Sequence, residues 1–527
     1  MRNFELPGRS EALGRKAMAA TSNPQATLVA LDILKQGGNA VDAAISAAAV
    51  LAVVEPTQTG IGGDSFVLMK RRGEPVVALN GSGWAPRDAS QDLYASRSDR
   101  EINPGSADAV TVPGSVRAWE RLSSDHGRMK LAQLLTPAIE LAKDGYLVTE
   151  RLARDWANQV GKLSANPTAA RLLLRDGKAP ESGKVMRQPE LALALESIAQ
   201  DGSAAFYEGW IADDIVATLR NLGGVHSLDD FREYQPFYVD PISTDYRGHT
   251  IWECPPSGQG LVVLAMARLL EKFDVAGLGS LSAERIHLLA EIARISYAER
   301  DLHICDPDFA SVPVEELLSD ARVAELAARI KPDSRLDRAT PWAEPPHKDT
   351  TFVTVVDQDR TAVSLIASVY DDFGSGIVAP QSGVVLHNRA CGFVLDPRHP
   401  NVVAGRKRPM HTIIPALVTK DGETICSFGV TGAHFQPIGQ MQVLSNIIDF
   451  GMNIQEAIDH PRIFARGDVL DVESTVPLET IERLRGLGHR PTPAPHPLGT
   501  AQAIWISQTG ILRGGADPRR DGVALGL

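Results

Sequence analysis

The sequence predicts an α/β layer structure and excludes a series of parallel βαβ units. Three observations carry that expectation. Two helical segments are followed by two strand-like segments near the start of the chain. Helical periodicity then dominates from about residue 113 to 340, and strand-like runs return after residue 350.

Residues from Asn23 to Pro56 read as two packed helices. The first, Pro24 to Gln36, carries Leu28, Leu31, Ile33 and Leu34 and stops at Gly37-Gly38, a C-cap signal. Asn39 can cap the Ala-rich second helix, which Pro56 ends. The stretch from Ala40 to Val54 contains Asp42 and is shorter than the roughly 20 residues needed to cross a bilayer, so it reads as a buried helix. Ser65 to Lys70 and Pro75 to Asn80 read as a hairpin around Arg72-Gly73. Leu131 through Ala142, closed by Asp144-Gly145, is one clear helix of the central region, which holds no internal repeat. Pro341 to Asp349 reads as a polar, proline-bearing linker, exposed and extended. Thr351–Val356 and Thr361–Ser368, joined by Asp357–Arg360, then read as an interior hairpin. Further strands are expected at Thr412–Val418, Thr424–Gly429, Ala501–Ser507 and Gly510–Arg513, with a helix from about Pro437 to Phe450.

With 527 residues, 43% hydrophobic and 22% charged, the chain can bury a large core as one unit or about three domains. A net charge of −12 and a pI near 5.6 argue against a phosphate-backbone binder, so nucleic acid is not an expected partner. Cys254, Cys305, Cys391 and Cys426 form no C-x-x-C pair and have no histidine at zinc-ligand spacing, which reads as reduced, buried thiols. Residues 1–20 mix Arg2, Glu5, Arg9, Glu11, Arg15 and Lys16 and leave no unbroken apolar segment for secretion, so a cytoplasmic location is the expectation.

The most informative feature is the meeting of the linker with a strand that opens on Thr350-Thr351. A threonine hydroxyl needs a base beside it, and a chain-terminal threonine brings its own in an α-amine whose ordinary pKa is about 7.7–8.0. Cleavage between Asp349 and Thr350 would create that base. By pattern alone, a Thr-Thr pair opening a strand is ordinary β-propensity.

Ordered segments over nearly the whole chain supply the missing support. Gly37-Gly38-Asn39-Ala40-Val41-Asp42-Ala43-Ala44, Glu55-Pro56, Gly60-Ile61-Gly62-Gly63, Val112-Pro113-Gly114 and Asp245-Tyr246-Arg247-Gly248 resemble the first part of the γ-glutamyltransferase family. Thr350-Thr351, Val355-Val356-Asp357, Phe373-Gly374-Ser375-Gly376, Lys407-Arg408-Pro409 and Pro415 resemble its small subunit. The resemblance implies a four-layer αββα sandwich of the N-terminal-nucleophile hydrolase type, made as a zymogen. Autocatalytic cleavage would divide it into segments 1–349 and 350–527, intertwined in one fold. It places Thr350 as nucleophile and Ser368 as the hydroxyl that contacts the new amine. Gly432 and Ala433, in Val430-Thr431-Gly432-Ala433-His434, fall where two backbone amides hold the oxyanion. No cofactor and no metal are implied. The expected partners are a small-molecule amide, the two fragments themselves and a homodimer of heterodimers, without nucleic acid or membrane.

Departures from the family pattern bear on the substrate. The arginine that grips a γ-glutamyl α-carboxylate is matched here by Ser82, and Arg389 and Gly392 stand where acidic and amide residues bind the α-amino group. A γ-glutamyl zwitterion should bind poorly. Asn388-Arg389 and Lys407-Arg408-Pro409-Met410-His411-Thr412-Ile413-Ile414-Pro415 resemble the oxamate-amidohydrolase-like branch. Arg389 is therefore expected to meet a substrate carboxylate, with His411 and Thr412 as substrate-side polar groups and Trp84 and Tyr370 narrowing the pocket. An amidohydrolase acting on a carboxylate-bearing amide is the primary expectation. The alternatives are a γ-glutamyltransferase, glutathione hydrolase or related acylase, and an unprocessed, non-catalytic binding homologue.

Other signals fail for lack of context. Asp372-Phe373-Gly374 has no kinase companion motifs, and the glycines at 60, 62 and 63 follow a helix and precede a strand, the reverse of a dinucleotide turn.

Overall fold

The computed structural model describes residues 8–97, 101–336 and 350–527. Two seven-stranded sheets lie face to face. The first runs in the order Val523–Gly526, Met18–Thr21, Thr351–Val356, Ala362–Ser368, Asp64–Lys70, Val76–Gly81 and Phe237–Val239. The second runs Ala12–Gly14, Leu512–Ala516, Ala501–Ile506, Glu423–Val430, Ala416–Lys420, His249–Glu253 and Ile242–Tyr246. Every neighbouring pair in both sheets is antiparallel.

Strand alternation explains the layering. In Thr351–Val356, Phe352 and Val356 enter the core between the sheets with Phe66, Ile366, Leu417 and Ile504, whereas Val353 and Val355 face an outer helical layer. Between them, Thr354 donates to Ser427 Oγ on the second sheet at 2.7 Å, and Ser427 donates back to Val363 O at 3.2 Å. Such buried hydroxyls are tolerated because each finds a partner across the sandwich. On the far side of the first sheet packs Ala40–Val54, buried at every residue, with Leu131–Asp144 beyond it. On the far side of the second sheet pack Gly260–Leu270, Ala283–His303 and Gln436–Ile448. The four layers expected from the family resemblance are thus present as helices, sheet, sheet, helices.

The N-terminal helices form as their caps dictate. Asn23 accepts from Gln25 N at 3.0 Å ahead of Pro24–Lys35, and Asn39 and Asp42 close a reciprocal capping box at the start of Ala40–Val54. Both predicted hairpins are present, with Ser65 paired to Gly81 and Thr351 paired to Ala367. Several expectations need correction. The predominantly helical stretch from 113 to 340 contains the strands Phe237–Val239, Ile242–Tyr246 and His249–Glu253. The strand expected at Thr412–Val418 is Ala416–Lys420, because Thr412 to Pro415 serve as an irregular wall of the site. The strand expected at Gly510–Arg513 is Leu512–Ala516. Met18–Thr21 and Val523–Gly526 were not anticipated as strands at all. Cys254, Cys305 and Cys426 are buried as expected, while Cys391 is half-buried. No described helix is long and apolar enough to cross a membrane.

Candidate active site

Thr350 is buried, at 1% exposure, and immediately precedes the central strand Thr351–Val356. Because Thr351 pairs with Ala367, the antiparallel register places Thr350 opposite Ser368, and Ser368 in turn pairs with Asp64 of the next strand. Ser368 Oγ accepts from Tyr370 N at 2.7 Å, a tight turn that holds Tyr370 at φ 79°. Asp349, the expected residue before the cut, lies outside the described residues. Gln436 Nε2 points at Thr350 Oγ1 from 3.4 Å, and Gln436 Oε1 accepts from Ile414 N at 3.0 Å. The side chain of Gln436 therefore ties the threonine to the wall beyond His411 and Thr412.

Gln436 opens the helix Gln436–Ile448, directly after the turn that carries Gly432 and Ala433. Gly432 sits at φ 110° and Ala433 at φ 48°, left-handed conformations that cost an alanine more than a glycine. Among the described residues neither amide donates to a protein acceptor, so both N–H groups remain for a ligand. The turn is pinned from behind. Thr431 N donates to Thr500 O at 2.8 Å and Thr500 N returns to Thr431 Oγ1 at 3.0 Å. Gln259 Nε2 donates both to Ala433 O, at 2.8 Å, and to Thr412 O, at 2.7 Å, while its Oε1 accepts from Arg300 at 3.0 Å. One amide thus sets the spacing between the Gly432-Ala433 turn and the opposite wall.

That wall is built on charge. Arg389 is fully buried; its Nη1 donates to Thr412 Oγ1 at 3.0 Å, its Nε lies 3.5 Å from Asp64 Oδ2, and its guanidinium stacks on the Tyr370 ring at 4.5 Å. Arg389 Nη2 has no hydrogen-bond partner among the described residues. Asp64 Oδ2 also receives His411 Nε2 at 3.2 Å and faces His387 Nδ1 at 3.3 Å, while Oδ1 accepts from Gly83 N and Gly114 N at 3.1 and 3.2 Å. Burial works to raise the Asp64 carboxyl, but His387 and the hydrogen bond from His411 outweigh it and hold the group well below the usual carboxylate range. Burial, reinforced by the Arg389 charge, pushes the His411 ring down to about 3 against the pull of Asp64. Neutral His411 then carries its proton on Nε2, and its bare Nδ1 accepts weakly from Ile413 N at 3.4 Å.

Ser82 is buried beside this cluster, its hydroxyl turned to Gly83 O at 3.3 Å and its carbonyl taking a bond from Arg408 Nε at 3.3 Å. Trp84 is clasped between Arg406 and Arg408, whose guanidinium carbons lie 4.6 and 5.4 Å from its ring. Its indole donates to Asp230 O at 3.2 Å. Thr350, Ser368, Tyr370, Arg389, Thr412, Gly432 and Ala433 are linked by these contacts into one site, with His411 joined through Asp64. Ser82 is linked to it through its neighbour Gly83, whose N–H donates to Asp64 Oδ1.

Among the described residues, His287, Glu291 and His489 form the group whose atoms could hold a metal, all lying within 4.8 Å of one another. Each is already committed. Arg294 donates to His489 Nδ1 at 3.3 Å, His489 Nε2 meets His287 Nδ1 at 2.7 Å, His287 Nε2 donates to Lys331 O at 2.7 Å, and Glu291 takes Arg294 and Leu336 N. A metal on His489 Nε2 would move that ring's proton to Nδ1, straight against the Arg294 donor, so the group fits a hydrogen-bond relay and not a cation.

Comparison with known proteins decides the family. The family profile described as Gamma-glutamyltranspeptidase matches residues 26–527. The chain belongs to the γ-glutamyltranspeptidase family. It is 37% identical over 526 residues to a "Glutathione hydrolase-like YwrD proenzyme" of Bacillus subtilis, covering 98% of this chain and 99% of that one. It is 35% identical over 534 residues to an "Oxamate amidohydrolase proenzyme" of Klebsiella pneumoniae, covering 98% and 99%. Among solved structures, a cephalosporin acylase from Bacillus halodurans superposes with a TM-score of 0.93 at 37% identity, over 100% of this chain and 99% of that one. The fold is therefore that of an N-terminal-nucleophile hydrolase, and the chain is an enzyme of the γ-glutamyltranspeptidase family of hydrolases and acylases.

Within this family member, sequence reasoning missed Asp64, His387, Gln259, Arg300 and Gln436. Asp64 had a signal: an acidic residue opening an otherwise apolar, fully buried strand, directly after Gly62-Gly63. Gln436 had one too, as the first helical residue after the Gly432-Ala433 turn. Gln259 acts on distant backbone carbonyls and Arg300 on the Gln259 side chain, and neither offered one.

Proposed function

We propose that the chain is a proenzyme that cuts itself between Asp349 and Thr350 and then hydrolyses a small amide bearing a carboxylate on its acyl side, with oxamate as the reference substrate. The observation that carries this reading is Arg389. A buried guanidinium with Nη2 unpartnered is costly unless a ligand completes it, and a carboxylate is the matching ligand.

Thr350 Oγ1 attacks the amide carbonyl carbon while the α-amine released by cleavage takes the hydroxyl proton. Ser368, opposite Thr350 in register, steadies that amine. The carbonyl oxygen becomes an oxyanion held by the Gly432 and Ala433 N–H groups, backed by the N-terminal end of Gln436–Ile448. Collapse of the intermediate breaks the C–N bond, the ammonium proton moves to the departing amine, and an acyl ester remains on Thr350. Water, activated by the same amine, hydrolyses the ester and restores the hydroxyl, so oxamate would yield oxalate and ammonia.

Relatives named as glutathione hydrolases support a competing reading, in which the acyl group is γ-glutamyl. Against it stand Ser82 in place of the carboxylate-gripping arginine and Arg389 and Gly392 in place of amino-group ligands. Comparing kcat/KM for oxamate and γ-glutamyl-p-nitroanilide separates the two, with oxamate expected to win by at least ~10-fold, one hydrogen-bonded ion pair's worth. Preference for the γ-glutamyl compound would reverse the assignment. Denaturing electrophoresis of the purified protein is expected to give two fragments; one persistent full-length band would favour a non-catalytic homologue.

A further inference from the structure

Asp64 is not itself among the residues expected to meet substrate, yet it is the point on which the carboxylate wall converges. One of its oxygens faces three side chains, from Arg389 at 3.5 Å, His411 at 3.2 Å and His387 at 3.3 Å, and the other is held by Gly83 N and Gly114 N. All four side chains are fully buried. Gly63 delivers the carboxylate there: a Cβ at Gly63 would lie 2.4 Å from Ser368 O, so only glycine lets the chain pass this close to the Thr350 partner strand.

We infer that Asp64 is the positioning residue for substrate recognition: it fixes the Arg389 guanidinium and the His411 ring so that Arg389 Nη2 is presented to a substrate carboxylate. The inference rests on the carboxylate reading of the site. Its physical basis is the cost of a lone buried cation, which a neighbouring carboxylate offsets only when the geometry is held. Thr412 Oγ1 occupies Nη1, while Nε, in a 3.5 Å ion pair with Asp64 Oδ2, and Nη2 have no hydrogen-bond partner among the described residues; Asp64 stands on the Nε side, so a substrate carboxylate meets the guanidinium at Nη2. A compact carboxylate placed close to the scissile carbonyl suits that contact.

Asp64 acts through its acceptor oxygens, so Asp64→Asn tests it. The asparagine can keep accepting from Gly83 and Gly114 but turns an NH2 toward the donors of Arg389 and His411. The readout is the ratio of kcat/KM for oxamate to that for oxamide, its neutral counterpart. The wild type is expected to prefer oxamate; Arg389→Met and Asp64→Asn should each reduce that preference at least ~10-fold, and the double variant should lose no more than Arg389→Met alone. Asp64→Asn that keeps the preference while Arg389→Met loses it overturns the positioning role and leaves the carboxylate reading intact. A wild type indifferent to the two compounds overturns the carboxylate reading itself. Should Asp64→Asn fail to fold, 15N NMR of the wild-type histidines gives the answer. His411 is expected as the Nε2–H tautomer through the neutral range, shifting when oxalate binds, and a Nδ1–H tautomer would overturn the inferred hydrogen bond to Asp64.

Discussion

On the proposed reading Thr350 would serve twice, first as the hydroxyl that attacks its own preceding peptide and then as the residue whose freed amine works on substrate. Thr350→Ala removes both roles and should give an unprocessed, inactive chain on denaturing gels. Thr350→Ser keeps the hydroxyl and should mature, at a reduced rate, since the methyl no longer restricts χ1. Gln436→Leu leaves Thr350 without its 3.4 Å partner and is expected to lower kcat several-fold with little change in KM, measured with oxamate at saturation. At this scale the sequence offered candidates where a residue sits in a segment that resembles a known family. Thr350 and Gly432-Ala433 were singled out through ordered segments that resemble a family, since by pattern alone the Thr350-Thr351 pair is ordinary β-propensity; the linker expected at Pro341–Asp349 lies outside the described residues. Asp64 and Gln259 were not singled out, because their meaning lies in partners 347 and 174 positions away, and no local pattern records such a pairing.

Elements place these residues by crowding as well as by attraction. The strand opening at Asp64 and the strand ending at Ser368 approach so closely that a methyl at Gly63 collides with the Ser368 carbonyl. Gly63→Ala is expected to destabilise the protein by about 1–3 kcal/mol in chemical denaturation and to slow maturation, because the strand carrying Ser368 must shift away from Thr350. Gln259→Leu should show the opposite separation. It removes two bonds that space Ala433 from Thr412, so kcat/KM should fall more than stability does, measured by steady-state kinetics beside a thermal melt. Helices with capping residues and hairpins with clear turns were legible as elements. The strands at 237–253 were not, since Ile242–Tyr246 is half-exposed and carries Ser243, Thr244 and Asp245, a pattern without alternation. Met18–Thr21 was hidden for the reverse reason: an interior strand of small residues buried on both faces has no polar side to reveal its period.

Across the whole molecule, several histidines are held neutral by burial. His226 and His460 are pushed down to about 4, and His411 and His489 to about 3. Each binds a proton near pH 6.5 once unfolded but not while folded, so the unfolded state gains protons first as pH drops. Stability should therefore fall between about pH 6.5 and 4, by roughly 1 kcal/mol per pH unit for each such ring, and remain flat above 7. Urea denaturation at a series of pH values measures this slope, and His489→Gln should make it shallower.

Thr351–Val356 lies between Met18–Thr21 and Ala362–Ser368, and Val523–Gly526 closes the edge beyond Met18–Thr21. Chain from before and after residue 350 is thus interleaved in one hydrogen-bonded array, as it is again where His249–Glu253 joins Ala416–Lys420. A backbone break ahead of Thr350 would consequently release nothing: the halves could part only by tearing strand from strand in both sheets, so separation and denaturation should be a single event.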